Sequence, residues 1–371
     1  MVERRVDRQQ VLAFRAAAHS LDRRRPAKEL LDVAGACGVQ DTPPGNAEVS
    51  LAARLETDGP VIEAAVATKK LILTWSVRGA PHFFPLRDFA VFTLGACPEE
   101  GTRERLWGQP EHSLVEVEKA MVTVIGPGAR PKSEVSAAVT AAVPAELAPW
   151  CRACKVHHPN ESVFRAAPLL GRLVLMSTAP VTLAAAKSSV GEEASGAVVD
   201  VRTELLRRYI HCYAPTTSAH FAEWAGISKS DAKQRWAAVV DRLLPVQGEA
   251  KGFVLEEDAG FLDAPPEPIG VRLLPPKDAF MQSRDRSVLL PDLALRKAVF
   301  PVLGGPGVVL HKAVPVATWR GAGKSKRYEL TVTPFRPLPK AVMAEIENEV
   351  ERVAHARGYE IGAVVEPKVR D

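Results

Sequence analysis

The chain has 371 residues, 46% of them hydrophobic and 25% charged, with a net charge of +4. That is enough chain for two or three packed units, and its balance is ordinary for globular protein. No apolar run approaches the roughly 18 residues of a membrane span, Met1 to Asp7 lacks the apolar core of a secretion signal, and five cysteines are too few and too odd for a disulfide scaffold, so a reducing, cytoplasmic setting is expected.

From the N-terminus, residues 7–19 carry Val11, Leu12, Phe14 and Arg15 at helical spacing, and a second helix is expected over 27–36. A proline-stiffened turn follows: Gly38-Val39-Gln40-Asp41-Thr42-Pro43-Pro44-Gly45. Asn46 is a good N-cap, and a third helix is expected over 47–55. Residues 70–78 read as a strand, broken by Gly79-Ala80-Pro81, with His82-Phe83-Phe84 as a short extended return. Three helices and then paired strands is the order of a winged helix-turn-helix. Residues 1–113 are assigned to it.

Residues 114–200 hold another helical pair and a strand-like Arg172 to Met176, and are assigned to a middle winged helix. Over 201–263 the pattern is clearest. A helix covers 205–212, Ser218 caps the next, Gly226 ends it, and Ser228 with Asp231 starts a third. Ala232, Trp236, Val239, Val240 and Leu243 share its inner face, while Lys229, Lys233 and Gln234 face outward as candidate DNA contacts. Gly248 and Gly252 bracket a hairpin. The prolines between 265 and 276 mark a linker. Residues 264–371 form a smaller α+β region with strands near 307–310, 314–319 and 328–332 and a long helix over 338–357. The expected fold class is therefore α+β: tandem winged helix-turn-helix units with a C-terminal α/β-hairpin region.

Net charge alone does not announce nucleic acid; its distribution says more. From Arg296 to Arg327 there are seven Lys or Arg and no Asp or Glu in 32 residues. A one-sign field of this kind either attracts a polyanion or is simply a solvated face. Arg320, Lys324, Lys326 and Arg327 sit at its Gly-rich hairpin tip, suited to phosphates.

Four segments, in this order, carry a family resemblance. They are the Gln40 turn with Val49 to Leu55; Trp75 to His82; Arg207 to Pro215 leading into Phe221 to Gly226; and Val271 to Asp278 with Arg284-Asp285-Arg286, then Val316 to Arg320. Together they resemble the AlkZ/YcaQ family of winged-helix DNA glycosylases. The resemblance implies tandem winged helices around duplex DNA and removal of alkylated purines, including bulky adducts and crosslinks. It implies a role in DNA repair or in self-resistance to a DNA-alkylating antibiotic. The sequence departs from the family at the turn. Gln40 falls on the family's first Gln, Thr42 on its second catalytic position, and the carboxylate stands between them as Asp41.

Removing an N7- or N3-alkylated purine is a substitution at C1′ of deoxyribose. The alkylated base is a cation and already a good leaving group. The protein must hold water and stabilise an oxocarbenium-like transition state. Gln40 is the candidate water-positioner, Asp41 the candidate base or electrostatic stabiliser, and Thr42 an auxiliary. The alternative for Asp41 and Thr42 is a purely capping role. Thr42 precedes Pro43, so it is biased to extended backbone. Gln40 and Thr42 are then expected on one face and Asp41 on the other. Arg78 and His82 are candidate supports. Asp278 and Asp285 read as braces, and Arg286 as a phosphate contact.

Cys151 and Cys154 with His157 and His158 have metal-ligand spacing, but no second knuckle accompanies them. Neither a metal nor another cofactor is required by the expected chemistry. A monomer acting on alkylated duplex DNA is expected, with a non-catalytic winged-helix DNA binder as the competing reading.

Overall fold

The computed structural model describes residues 4–187 and 200–365; residues 1–3, 188–199 and 366–371 lie outside the described residues. The chain packs into two compact units, each assembled from separated segments. Among the described residues, 4–68, 208–217 and 242–365 form the first, and 69–187, 200–207 and 218–241 form the second. Helices and strands mix in both, as the α+β class requires.

In the first unit, helix Arg8–Ala18 starts at Asp7, whose side chain accepts the Gln10 amide at 2.8 Å. Every residue from Val11 to Ala18 is buried, including Arg15. Burying a guanidinium is costly unless its donors are placed. Arg15 donates to both Asp285 oxygens, at 2.9 and 2.7 Å, and to the Ala214 and Pro215 carbonyls. Asp285 is thus the expected brace. Helix Leu30–Cys37 follows, ending at Gly38 with φ +71°.

The third helix differs from expectation. It runs Asn46–Ala52, with Gly45 at the N-cap position. Asn46 is inside the first turn, and its amide donates to the Thr42 carbonyl at 3.1 Å and the Pro276 carbonyl at 2.9 Å. The helix stops short of Leu55 because Leu55–Glu56 pairs in parallel with Arg25–Pro26.

The C-terminal part is a five-stranded sheet in the order Val271–Leu274, Gly307–His311, Val314–Lys324, Arg327–Pro334, Ile361–Val365. The first four pair antiparallel, and the last runs parallel to Arg327–Pro334. A parallel pair needs a crossover, and helix Lys340–Ala356 supplies it. Val342, Ile346, Val350 and Val353, at helical spacing, bury one face of that helix against Leu273, Val309, Trp319 and Leu330. Val49 belongs to the same core, so helix Asn46–Ala52 is anchored there. A separate sheet joins Arg4–Val6 in parallel to Leu243–Gly248, which forms the expected hairpin with Gly252–Leu255. The basic segment is mostly strand. Its turn lies at Ser325 and Lys326, between the paired Lys324 and Arg327.

In the second unit, Leu71–Trp75 pairs antiparallel with Pro81–Pro85. Helices Ser113–Ile125 and Lys132–Ala142 accompany a sheet of Leu173–Thr178, Val181–Ala185 and Ala129–Pro131. Helices Ser218–Ala225 and Lys229–Ala237 are joined through Gly226, Ile227 and Ser228. Ser228 caps the second as expected, its hydroxyl accepting the Asp231 amide at 3.1 Å. Val240 is exposed, against expectation, because the helix ends at Ala237 and the chain passes into the short 3-10 turn Val240–Arg242.

Candidate active site

The turn after Gly38 is held from three directions within the first unit. Asp41 is only 5% exposed, and its Oδ1 accepts the Ala47 amide at 3.2 Å. A carboxylate there meets unpaired amides and the positive end of helix Asn46–Ala52. Arg357, just past the long C-terminal helix, donates to the Pro44 carbonyl at 3.0 Å and also to Asn46 Oδ1. Gly45 has φ +82°, and a Cβ on it would lie 2.9 Å from the Arg357 guanidinium. The positive φ favours glycine there, and any side chain would also push the Arg357 guanidinium aside.

Gln40 and Thr42 flank Asp41 and remain half-buried. Gln40 Oε1 accepts from Gln282 Nε2 at 2.8 Å, and the same Gln282 nitrogen donates to the Lys277 carbonyl at 2.9 Å. The Gln40 amide nitrogen has no hydrogen-bond partner among the described residues. Thr42 Oγ1 is buried and likewise without a partner among them. Asp41 is turned inward, and the Thr42 hydroxyl beside it is buried as well.

Behind Gln40 lies a cavity of about 20 Å³, lined among others by His19, Cys37, Ser50, Arg54 and Asp278. That is room for one water. His19 sits edge-on to Tyr213 and Phe280. Burial, with the charge of Arg54, pushes its pKa down to about 3, so it is a neutral imidazole. Its Nε2 has no partner among the described residues. Arg54 and Asp278 form a buried bidentate pair with both contacts at 2.8 Å. Ser50 Oγ at 2.7 Å and the Phe280 amide at 3.0 Å also donate to Asp278. Burial pushes the Asp278 carboxyl up, but the Arg54 charge and these donors outweigh it and hold the carboxyl below its ordinary range. Asp278 is the expected brace, and its partner is Arg54. Gln282, His19 and Arg357 were not singled out from the sequence, and Arg54 entered only as part of the resemblance segment Val49 to Leu55. Gln282 does lie between two of the resemblance segments, ending at Asp278 and starting at Arg284.

Arg78 and His82 belong to the second unit. Arg78 has φ +58° and donates to the Trp224 carbonyl. His82 is buried, its Nδ1 lies 2.9 Å from the Ala80 carbonyl, and burial pushes its pKa down to about 4. Lys229, Lys233 and Gln234 are exposed on helix Lys229–Ala237, as expected. In the first unit Arg286 lies over the Phe300 ring at 4.3 Å. Arg320 donates to the Gly304 carbonyl at 2.8 Å, and Lys326 pairs with Glu360 at 2.8 Å. Arg320, Lys324, Lys326 and Arg327 are all exposed. Cys151, Cys154 and His158 gather at one point of the second unit. His157 points elsewhere, with Nδ1 3.0 Å from the Ala148 carbonyl.

Comparison with known proteins gives a consistent picture. The profile of the family described as DNA glycosylase AlkZ-like matches residues 33–356. The chain is 31% identical over 163 residues to an interstrand DNA cross-link repair glycosylase of Streptomyces sahachiroi, a match spanning 42% of each protein. The solved structure of the Streptomyces sahachiroi DNA glycosylase AlkZ aligns with a TM-score of 0.75 and 23% identity, covering 98% of this chain and all of that one.

Proposed function

This chain belongs to the AlkZ-like DNA glycosylase family, and from that premise we propose that it is a monofunctional glycosylase hydrolysing the N-glycosidic bond of bulky N7- or N3-alkylated purines, crosslinked ones included, in duplex DNA. The observation that carries this is the pair Gln40 and Thr42. Gln40 is oriented by Gln282, and a carbonyl oxygen has a second lone pair with which to accept a water proton. The buried, partnerless hydroxyl of Thr42 supplies a second contact for that water. The alkylated base leaves as a neutral group, so the water needs orientation more than deprotonation. Asp41 holds the turn through the Ala47 amide and acts on the reaction through its position.

The helix pair Ser218–Ala225 and Lys229–Ala237 is read as the DNA-binding part of a winged helix. Tandem modules of this type with the basic hairpin would grip the phosphates. The product is an abasic site, which suits DNA repair or resistance to a genotoxin made in the same cytoplasm. A monomer suffices for this.

The test is incubation with duplex DNA bearing N7-alkylguanine adducts, followed by alkali to cleave abasic sites. Adduct-dependent strand breaks are expected. Tight DNA binding with no breaks for any adduct would establish the non-catalytic binder instead. Given cleavage, Gln40→Ala should lower the single-turnover rate by about 10²-fold. Gln282→Leu should lower it by about tenfold or more through misplacement of Gln40. Unchanged rates in both would move the chemistry away from this turn.

A further inference from the structure

The second unit contains a group of side chains that the glycosylase chemistry does not use. Trp150–Cys151 and Val156–His157 form a two-stranded hairpin in the register Trp150↔His157 and Cys151↔Val156. Such a short hairpin is marginal in water by itself. Here it also exposes Trp150 and Val156, at 55% and 51%. The bend folds back tightly, with the Lys155 amide donating to the Cys151 carbonyl at 2.8 Å and Lys155 at φ +57°.

We propose that Cys151, Cys154 and His158 bind one zinc ion, with water as the fourth ligand, and that the metal staples this hairpin. The two sulfurs and a ring nitrogen of His158 all lie within 4.8 Å of one another, close enough to surround one ion. His158 Nδ1 is 2.7 Å from the Pro159 carbonyl, which fixes the proton on Nδ1. Nε2 is then left with its lone pair, and it is buried without a hydrogen-bond partner among the described residues. A carbonyl accepting the distal N–H is the usual support of a metal-bound histidine.

Two thiolates, a neutral imidazole and Zn²⁺ sum to zero charge, so the site needs no counterion. Three protein donors leave one tetrahedral position open. Glu161 does not fill it, being engaged by Lys132 and Arg165 at 2.6 Å each. The missing second knuckle is thus no obstacle to binding. It makes the site three-coordinate from protein, with an exchangeable fourth position.

The test uses the untagged full chain, reduced and handled without oxygen, titrated with Co²⁺ as the spectroscopic probe. One cobalt per chain is expected, with thiolate-to-metal charge transfer and the ligand-field bands of a tetrahedral site, displaced by Zn²⁺. Cys151→Ser with Cys154→Ser should take the stoichiometry from one to zero. His158→Ala should weaken cobalt binding more than about tenfold, and it remains informative if the double variant fails to fold. Cys37→Ser with Cys212→Ser should retain the bands, which separates this site from the buried His19, Cys37 and Cys212 cluster. The proposal falls if the natural chain shows no thiolate–cobalt band. It falls equally if the band survives loss of Cys151 and Cys154, or if only the Cys37 and Cys212 variant abolishes it.

Discussion

Replacing Asp41 in two ways separates holding the turn from acting on the reaction. Asp41→Ala removes the acceptor for the Ala47 amide. Loss of an acceptor at a helix N-terminus costs about 0.5–2 kcal/mol, and loss of a charge at that end adds up to about 1 kcal/mol. Asp41→Asn keeps an acceptor oxygen and loses only the charge. That charge also has an unfavourable side. Glu48, which accepts the Val61 and Ile62 amides, has its carboxyl pushed up mainly by burial and further by Asp41. Neutralising Asp41 relieves that repulsion, so Asp41→Asn should stay within about 1 kcal/mol of the natural chain. Urea unfolding reads the stabilities, and single-turnover cleavage of N7-alkylguanine DNA reads the chemistry. If Asp41 acts by position, Asp41→Asn keeps most of the rate, while Asp41→Ala loses stability and rate together. A drop of about 10²-fold in Asp41→Asn at unchanged stability would refute this reasoning. It would show the carboxylate stabilising the developing sugar cation.

Three further outcomes follow from the geometry. Asp278→Asn strands Arg54, whose side chain is 6% exposed, and should cost about 3 kcal/mol or more in urea unfolding; a loss under about 1 kcal/mol would mean that Arg54 finds other partners. His82 has a folded pKa of about 4 against about 6.5 unfolded. Below pH 6.5 the unfolded chain therefore binds more protons, and His82 by itself should lower stability by up to about 3 kcal/mol as pH drops from about 6.5 to 4, with the buried His19 adding its own loss in the same window. His82→Asn should flatten that part of the thermal-melting profile, and an unchanged slope would assign it elsewhere. Lys324→Glu with Arg327→Glu should weaken DNA binding and reduce its log–log salt slope by about two; an unaltered slope would remove the hairpin from the DNA contact.

What was legible in the sequence is what local chemistry decides. Ser228 before Asp231, Gly226 after a buried helix, and the strands expected at 314–319 and 328–332 each mark an element that forms as expected, though the Gly-rich tip between those strands is itself paired strand up to Lys324. What was not legible depends on partners far along the chain. Asn46 looks like a cap, yet the Thr42 and Pro276 carbonyls claim its amide. Leu55 looks helical, but it finds a strand at Arg25. Gln282 stands 242 residues from Gln40 and meets it only after folding.

The same long-range ties explain why the turn can present Gln40 at all. A proline-containing loop after a short helix would sample many shapes in isolation, and positioning a water requires one. Val49 packs into the C-terminal core, Arg357 grips Pro44 and Asn46, and Asn46 reaches Pro276. Each tie joins the turn to residues beyond 270. The C-terminal sheet and helix are therefore as much a part of the candidate active site as the turn itself. Truncating them would remove the ties that hold Gln40 as well as the basic hairpin. The order carboxylate-inward, Gln and Thr half-buried then follows from packing. Asp41 occupies the position that must face the helix Asn46–Ala52, and a carboxylate there meets amides that would otherwise lack an acceptor.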